Sequence, residues 1–268
     1  MSKSHRLVGV IHLPALPGSP RNAMSTLEAA RSAAADAKVL ADAGYDLVML
    51  ENFGDVPFFA GRVPSITVSA MTVCAMAARD AAPSLPLGIN VLRNDADAAL
   101  AIACAVGAAC IRVNVHTGAR VTDQGLVQGE AATTVRTRMS LGAGAIAVWA
   151  DVDVKHSAAL APRSLTQEAH DLVHRAMAET LLVTGEGTGR AVDFAKLDEV
   201  RRAVPGTPLL VASGATLEML PELASRCDGV IVGSALRANG VAGGPIDAGR
   251  AAAFAAAFRS CFSPIAAR

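Results

Sequence analysis

Aromatic residues are scarce: Phe, Trp and Tyr make up 3% of the 268 residues, with one Trp and one Tyr. That leaves no row of rings on which nucleic-acid bases could stack. Excess charge is missing too, since Lys plus Arg number 24, Asp plus Glu 24, and the formal net charge is zero. A basic stripe following a phosphodiester backbone is not expected, and neither is a nucleic-acid partner. Long apolar runs are absent. The longest low-polarity stretch, Ala98 to Ile111, falls short of a membrane span and contains Gly107. The opening segment MSKSHRLVGVIHLPALPGSP is too short in its apolar part, and too interrupted by proline, for a secretory signal. The five cysteines, Cys74, Cys104, Cys110, Cys227 and Cys261, are odd in number and form no CxxC. They read as buried free thiols of a reducing compartment. No clustered His/Cys pattern suggests zinc. These absences together point to the cytoplasm and leave peripheral membrane contact open.

What is present is alternation. Apolar, β-rich runs occur at Leu7–Leu13, Leu47–Asn52, Leu87–Leu92, Cys110–Val115, Ala145–Val152, Thr180–Gly185, Pro208–Gly214 and Gly229–Ser234. Each precedes a helical stretch, at Thr26–Ala43, Ser65–Ala82, Asp95–Val106, Gly129–Leu141, Leu165–Ala178, Asp193–Val204, Leu217–Ala224 and Asp247–Phe258. Such repetition reads as parallel βαβ units. Eight units in this length predict an α/β fold, a closed (β/α)8 TIM barrel forming a single domain over residues 1–268. An open doubly wound sheet is the rival and would usually hold fewer units. Asp95 is a candidate N-cap, and Gly44 and Gly107 are candidate helix stops. Two long loops, Phe53–Pro64 and His116 to Gln128, are either lids or solvated surface.

In a barrel, ligands meet the carboxyl ends of the strands, so inward polar residues there carry the functional signal. The fifth run, AIAVWADVDVKH, is the most informative. Strict alternation puts Ile146, Val148, Val152 and Val154 outward and Asp151, Asp153 and Lys155 together on the other face. Such charges are costly to desolvate unless they pair or meet water and ligand. The position at a strand end favours a functional cluster over a structural salt bridge. Polar residues also close the other runs: His12, Glu51 and Asn52, Asn90, Arg112 with Asn114 and His116, and Thr184 followed by Glu186. A lone histidine such as His12 is more often a hydrogen-bonded core residue; convergence from six strands is what counts.

The last third carries an anion signal. The seventh and eighth runs end in VASGATLEML and GVIVGSALR, and VTGEGTGR follows the sixth. Glycines let backbone N–H groups approach a phosphate, and barrels often place phosphate after the last strands. Ser213, Gly214, Gly233 and Ser234 fit that role, with Gly187, Thr188 and Gly189 beside them. Glycines that only make tight turns are the alternative.

The segments GVIHLPALPGSP, LENFGDVPF, GINVLRNDADAAL, RVNVHTG, ADVDVKHS, VTGEGTG and VASGATLEML…DGVIVGSALR together resemble the BtpA/SgcQ family over nearly the whole chain. The resemblance implies a phosphate-binding barrel. The family's founding cyanobacterial member is associated with photosystem I biogenesis and thylakoid membranes, and other members occur with sugar metabolism. The matching motifs contain His12, Glu51, Asn52, Asn90, Asn114, Asp151, Asp153, Lys155 and Gly189.

Two functions follow as expectations. One is an enzyme for a phosphorylated sugar or nucleotide-type metabolite, with Lys155, Asp151, Asp153, His12 and Glu51 reactive and Asn52, Asn90, Asn114, Thr184 and Glu186 holding substrate. Lys155 is then a Schiff-base nucleophile or an acid/base. Two adjacent carboxylates would raise its pKa, which favours a charge stabiliser or general acid over an imine. No cofactor is required, though Glu51, Asp151 and Asp153 could hold a divalent metal. The other is a non-catalytic assembly or regulatory factor. A homo-oligomer is compatible with either.

Overall fold

The computed structural model describes residues 5–161, 163–185 and 193–262. Eight parallel strands close on one another in the order β1 (Arg6–His12), β11 (Gly229–Val232), β10 (Leu209–Val211), β9 (Thr180–Val183), β7 (Ala147–Val152), β4 (Cys110–Val113), β3 (Leu87–Asn90), β2 (Leu47–Glu51). The closed barrel is therefore present and the open-sheet rival is not. Helices α1 (Thr26–Asp42), α2 (Ser65–Ala81), α3 (Ala96–Val106), α4 (Ala131–Ser140), α5 (Leu165–His170), α6 (Phe194–Ala203), α7 (Leu220–Leu223) and α8 (Ala248–Cys261) occupy the connections.

Period-two alternation sorts the core into two layers. Val8, Val10, Leu47, Met49, Cys110, Trp149, Leu182, Leu210, Ala212 and Ile231 fill the barrel interior. Val48, Leu50, Ile111, Val148, Val152 and Val183 face the helices, where small residues such as Ala33, Ala37, Ala70 and Ala99 let the backbones approach. Helix ends are set locally. Ser25 accepts from the Glu28 N–H at 3.3 Å while Glu28 accepts from the Ser25 N–H at 2.7 Å, a reciprocal cap worth about 1 kcal/mol. Asp95 caps α3 by accepting from the Ala98 N–H at 2.9 Å, and Gly107 ends that helix at φ 65°. Gly44, at φ 79°, follows the end of α1.

Several expectations need correction. The loop after β4 is a built structure. Strands β5 (Ala119–Thr122) and β6 (Gly125–Gln128) form an antiparallel hairpin, and β8 (Ser157–Ala159) joins its edge. Val115, Val127 and Val154 make a small core beneath this flap. The expected fifth helix continues from α5 into a π-helical segment, Asp171–Arg175. The expected seventh helix is a 3₁₀ turn, Leu217–Met219, followed by the four-residue α7. Cys74, Cys110 and Cys227 are buried free thiols, whereas Cys104 is exposed and Cys261 half-buried. Among the described residues no helix is long and apolar enough to cross a membrane.

Candidate active site at the barrel mouth

Strand register builds the site. His12 pairs with Glu51 across β1 and β2, Glu51 with Asn90 across β2 and β3, and Asn90 with Arg112 across β3 and β4. Four polar side chains thus stand in one row around the barrel, near the strands' carboxyl ends. Burial forces them to satisfy one another. His12 Nε2 lies 3.1 Å from Glu51 Oε1, and Asn90 Nδ2 donates to Glu51 Oε2 at 3.1 Å. The Gly243 N–H donates to His12 Nδ1 at 3.2 Å, so the imidazole proton belongs on Nε2, directed at Glu51. The Phe53 ring packs against His12 with centroids 4.5 Å apart.

Asp151, at the end of β7, receives Arg112 in a two-pronged pair, Nε to Oδ1 at 3.0 Å and Nη2 to Oδ2 at 2.9 Å. Asn114 Nδ2 adds a third donor to Oδ2 at 2.8 Å. Both ions are almost fully removed from solvent, with side-chain exposures of 6% and 0%. A pair this buried is held by geometry, and deleting one member strands the other. The amide oxygens of Asn90 and Asn114 have no partner among the described residues.

Lys155 follows a bend at Asp153 (φ 48°) and precedes another at His156 (φ 56°). Its backbone is clamped: its N–H donates to Thr184 Oγ1 at 3.1 Å, and its carbonyl accepts from Arg93 Nη2 at 2.8 Å. Its Nζ lies 3.2 Å from Ser213 Oγ. Burial first, then the Arg112 and Arg93 charges, push its pKa down to about 8 against the pull of Glu51 and Asp151. This reverses the expectation that neighbouring carboxylates raise it. Asp151 is neutralised by Arg112, and the Asp153 carboxylate is directed away from Lys155. Because the chain leaves strand geometry at residue 153, Asp153 turns toward Arg120 and Lys196, with Lys196 Nζ at 2.6 Å. Burial would raise the Glu51 carboxyl. The His12 bond and the cations Arg112 and Lys155 outweigh it and hold the pKa at about 2.

One cavity joins these groups to the last strands. His12, Glu51, Phe53, Arg112 and Lys155 line one side; Ser213, Gly214 and Ala215 after β10, and Gly233, Ser234 and Ala235 after β11, line the other. Gly214 sits at φ 77°. The backbone N–H groups of Gly214, Ala215, Ser234 and Ala235 reach no acceptor among the described residues. A Cβ on Gly233 would stand 2.7 Å from His12 Cε1, so only glycine fits there without displacing the imidazole. The turn is braced from behind by Arg237, 2% exposed, which donates to the Gly233 carbonyl at 2.8 Å and to the Val10 carbonyl at 3.0 Å.

Two expected substrate contacts, Asn52 and Thr184, and the strand-end residue His116 are engaged within the fold. Asn52 spends its amide on Asp55 and on both backbone groups of Leu92, including the Leu92 N–H at 2.7 Å. Thr184 holds the Lys155 backbone. His116, 1% exposed, is tied to the Ala176 carbonyl at 2.9 Å. Glu186, Gly187, Thr188 and Gly189 lie outside the described residues. Glu51, Asp151 and Asp153 are divided among three separate networks. Among the described residues no group of three or more His, Cys, Asp or Glu side chains is placed to hold a metal. Arg93, Phe53 and Arg237 carry no signal in the alternation; only strand register and loop packing bring them to the site.

Fold and site together define a (β/α)8 barrel with a charged cavity at the carboxyl ends of its strands. Within that class, the chain belongs to the BtpA family, whose profile matches residues 3–260. It is 40% identical over 248 residues to the photosystem I biogenesis protein BtpA of Synechocystis, covering 92% of this chain and 86% of that one. It is 43% identical over 236 residues to an uncharacterised protein of Thermococcus kodakarensis, covering 87% of each. Among solved structures it resembles phosphoribosyl anthranilate isomerase from Thermus thermophilus, with a TM-score of 0.56 and 16% identity over 95% of this chain and 98% of that one. It also resembles 3-keto-L-gulonate-6-phosphate decarboxylase from Vibrio cholerae, with a TM-score of 0.56 and 15% identity over 98% and 100%. At such identities the likeness concerns the fold.

Proposed function

We propose that the protein is an enzyme acting on a small phosphorylated metabolite of sugar or nucleotide type by proton transfer. The observation that carries this reading is the cavity itself. Its one wall offers backbone N–H groups at Gly214, Ala215, Ser234 and Ala235, and its other wall offers Lys155, Glu51 and His12. An anion is the ligand such a donor set complements. The phosphate end belongs to Ser213, Gly214, Gly233 and Ser234. The reactive end belongs to Lys155, with the His12–Glu51 pair as the second proton-handling group and Asn90 and Asn114 carbonyls as acceptors for substrate hydroxyls. Asp151 acts through Arg112, setting the field around Lys155. The two solved barrels named above, an isomerase and a decarboxylase of phosphorylated compounds, support a substrate of this type.

Titration calorimetry with inorganic phosphate, followed by thermal-shift screening of sugar phosphates and nucleoside monophosphates, tests the proposal. Saturable phosphate binding that is lost in Gly233→Asp is expected; binding unchanged in that variant sinks the anion site. A second reading, a non-catalytic assembly factor, is favoured by the name of the Synechocystis relative. It predicts recovery of membrane-complex subunits with the tagged full chain and no turnover of any phosphorylated compound.

A further inference from the structure

We propose that Lys155 is a covalent nucleophile: its Nζ condenses with the carbonyl carbon of a phosphorylated aldehyde or ketone to form an imine. The proposal rests on the phosphate-anchored reading above and names its substrate class. Four features of the geometry carry it.

The lysine is fixed at its root. Thr184 Oγ1 and Arg93 Nη2 hold the two backbone groups of residue 155, at 3.1 and 2.8 Å, so the amine projects from a set point. The amine also sits where the two walls meet, 3.2 Å from Ser213 Oγ in the first anion-side turn. A phosphate on those turns therefore presents its own carbon chain to Nζ. Among the described residues, the carboxylates of Asp151 and Glu51 each hold other partners. Both oxygens of Asp151 receive Arg112, one of them also Asn114, and both oxygens of Glu51 receive His12 and Asn90. Finally, two guanidinium groups, Arg112 and Arg93, stand in the field of the amine. Like charge and burial both favour the neutral, nucleophilic form. With a pKa of about 8, roughly a tenth of the amine is neutral at pH 7.

The step balances without a co-reactant. The Nζ lone pair forms the C–N bond, and the carbonyl π pair moves to oxygen, which takes one amine proton. The resulting carbinolamine expels that oxygen as water carrying the second amine proton, and the C=N bond remains. His12 and Glu51 line the same cavity and can pass the protons between nitrogen and oxygen. Water reverses the sequence.

The composition makes the test clean, because the chain has only four lysines: Lys3, Lys38, Lys155 and Lys196. Lys38 is an exposed internal control, paired with Asp42 on α1. The full chain is incubated with dihydroxyacetone phosphate, reduced with borohydride and mapped by peptide mass. The expected result is modification of Lys155 at least about tenfold above Lys38, suppressed by inorganic phosphate and rising between pH 7 and 9. Lys155→Arg, checked for folding by circular dichroism, should take no label in that peptide. Labelling of Lys155 no greater than of Lys38 overturns the imine. If calorimetry still shows phosphate binding in that case, the anion site stands without it. If unphosphorylated dihydroxyacetone labels Lys155 equally well and phosphate does not compete, the imine stands and the phosphate reading falls.

Discussion

The two walls of the cavity are built on opposite plans. The wall from β1, β2, β4 and β7 is made of side chains. Those of His12, Glu51, Arg112 and Asp151 are at most 10% exposed, with Asn90 behind them, and each holds its neighbour. The wall after β10 and β11 is made of backbone, with Ser213, Gly214, Gly233 and Ser234 contributing little but N–H groups and room. The first plan sets electrostatics, since paired buried ions hold fixed charges in a low dielectric. The second leaves donors unused, and unused donors await an acceptor. Lys155, bonded to Ser213, is where the plans meet. The proposed nucleophile therefore stands at the seam, tuned by one wall and facing the unused donors of the other.

The comparison can be broken most forcefully at Asp151. Asp151→Ala leaves Arg112 buried without its counter-ion and should cost about 3–5 kcal/mol in urea denaturation. A loss below about 1 kcal/mol would mean that this wall is not held by its ion pairs. Next comes acid. Glu51 titrates at about 2 in the folded chain against 4.5 for an unperturbed carboxyl, so its contribution is fully present above pH 4.5 and is lost as pH falls toward 2. Roughly 3 kcal/mol should disappear across that window, and less in Glu51→Gln, by denaturation at stepped pH. On the backbone wall, Gly233→Asp should lower phosphate affinity at least about a hundredfold, or about 2.7 kcal/mol, by calorimetry. Lys155 should show the opposite sign to Glu51. Its folded pKa of about 8 lies below 10.5, so the charged amine weakens the fold below pH 8, and that penalty fades between pH 8 and 10.5. Lys155→Met should therefore raise stability at pH 7 by about 1–3 kcal/mol, and a lower melting temperature would contradict the desolvated amine. The smallest effect belongs to neither wall: Val121→Ser on the flap, at a side chain 48% exposed, should stay within about 0.5 kcal/mol.

Much of the side-chain wall is legible in the sequence. Alternation in β1 to β4 and β7 selects His12, Glu51, Asn90, Asn114 and Asp151, and register then places them together. Alternation fails at Asp153 because period two holds only while the backbone stays extended, and the positive φ at that residue ends it. The flap does have a sequence signature. In the stretch RVTDQGLVQ the apolar Val121 and Leu126–Val127 flank the polar Asp123–Gln124, and Gly125 at φ 97° opens β6, which is a hairpin pattern. Arg93 offers no such signal. It lies beyond β3 and reaches the Lys155 carbonyl across 62 residues of chain.

The sequence by itself determined the barrel and the polar ring of strand ends, because both follow from local alternation repeated eight times, and its motifs carry the family. The tertiary structure alone decided which charges cancel. How far burial, Arg112 and Arg93 outweigh the pull of Glu51 and Asp151 on Lys155 depends on where Asp153 turns and what Arg112 grips. Those are facts of through-space packing in a low-dielectric interior, which spacing along the chain does not encode.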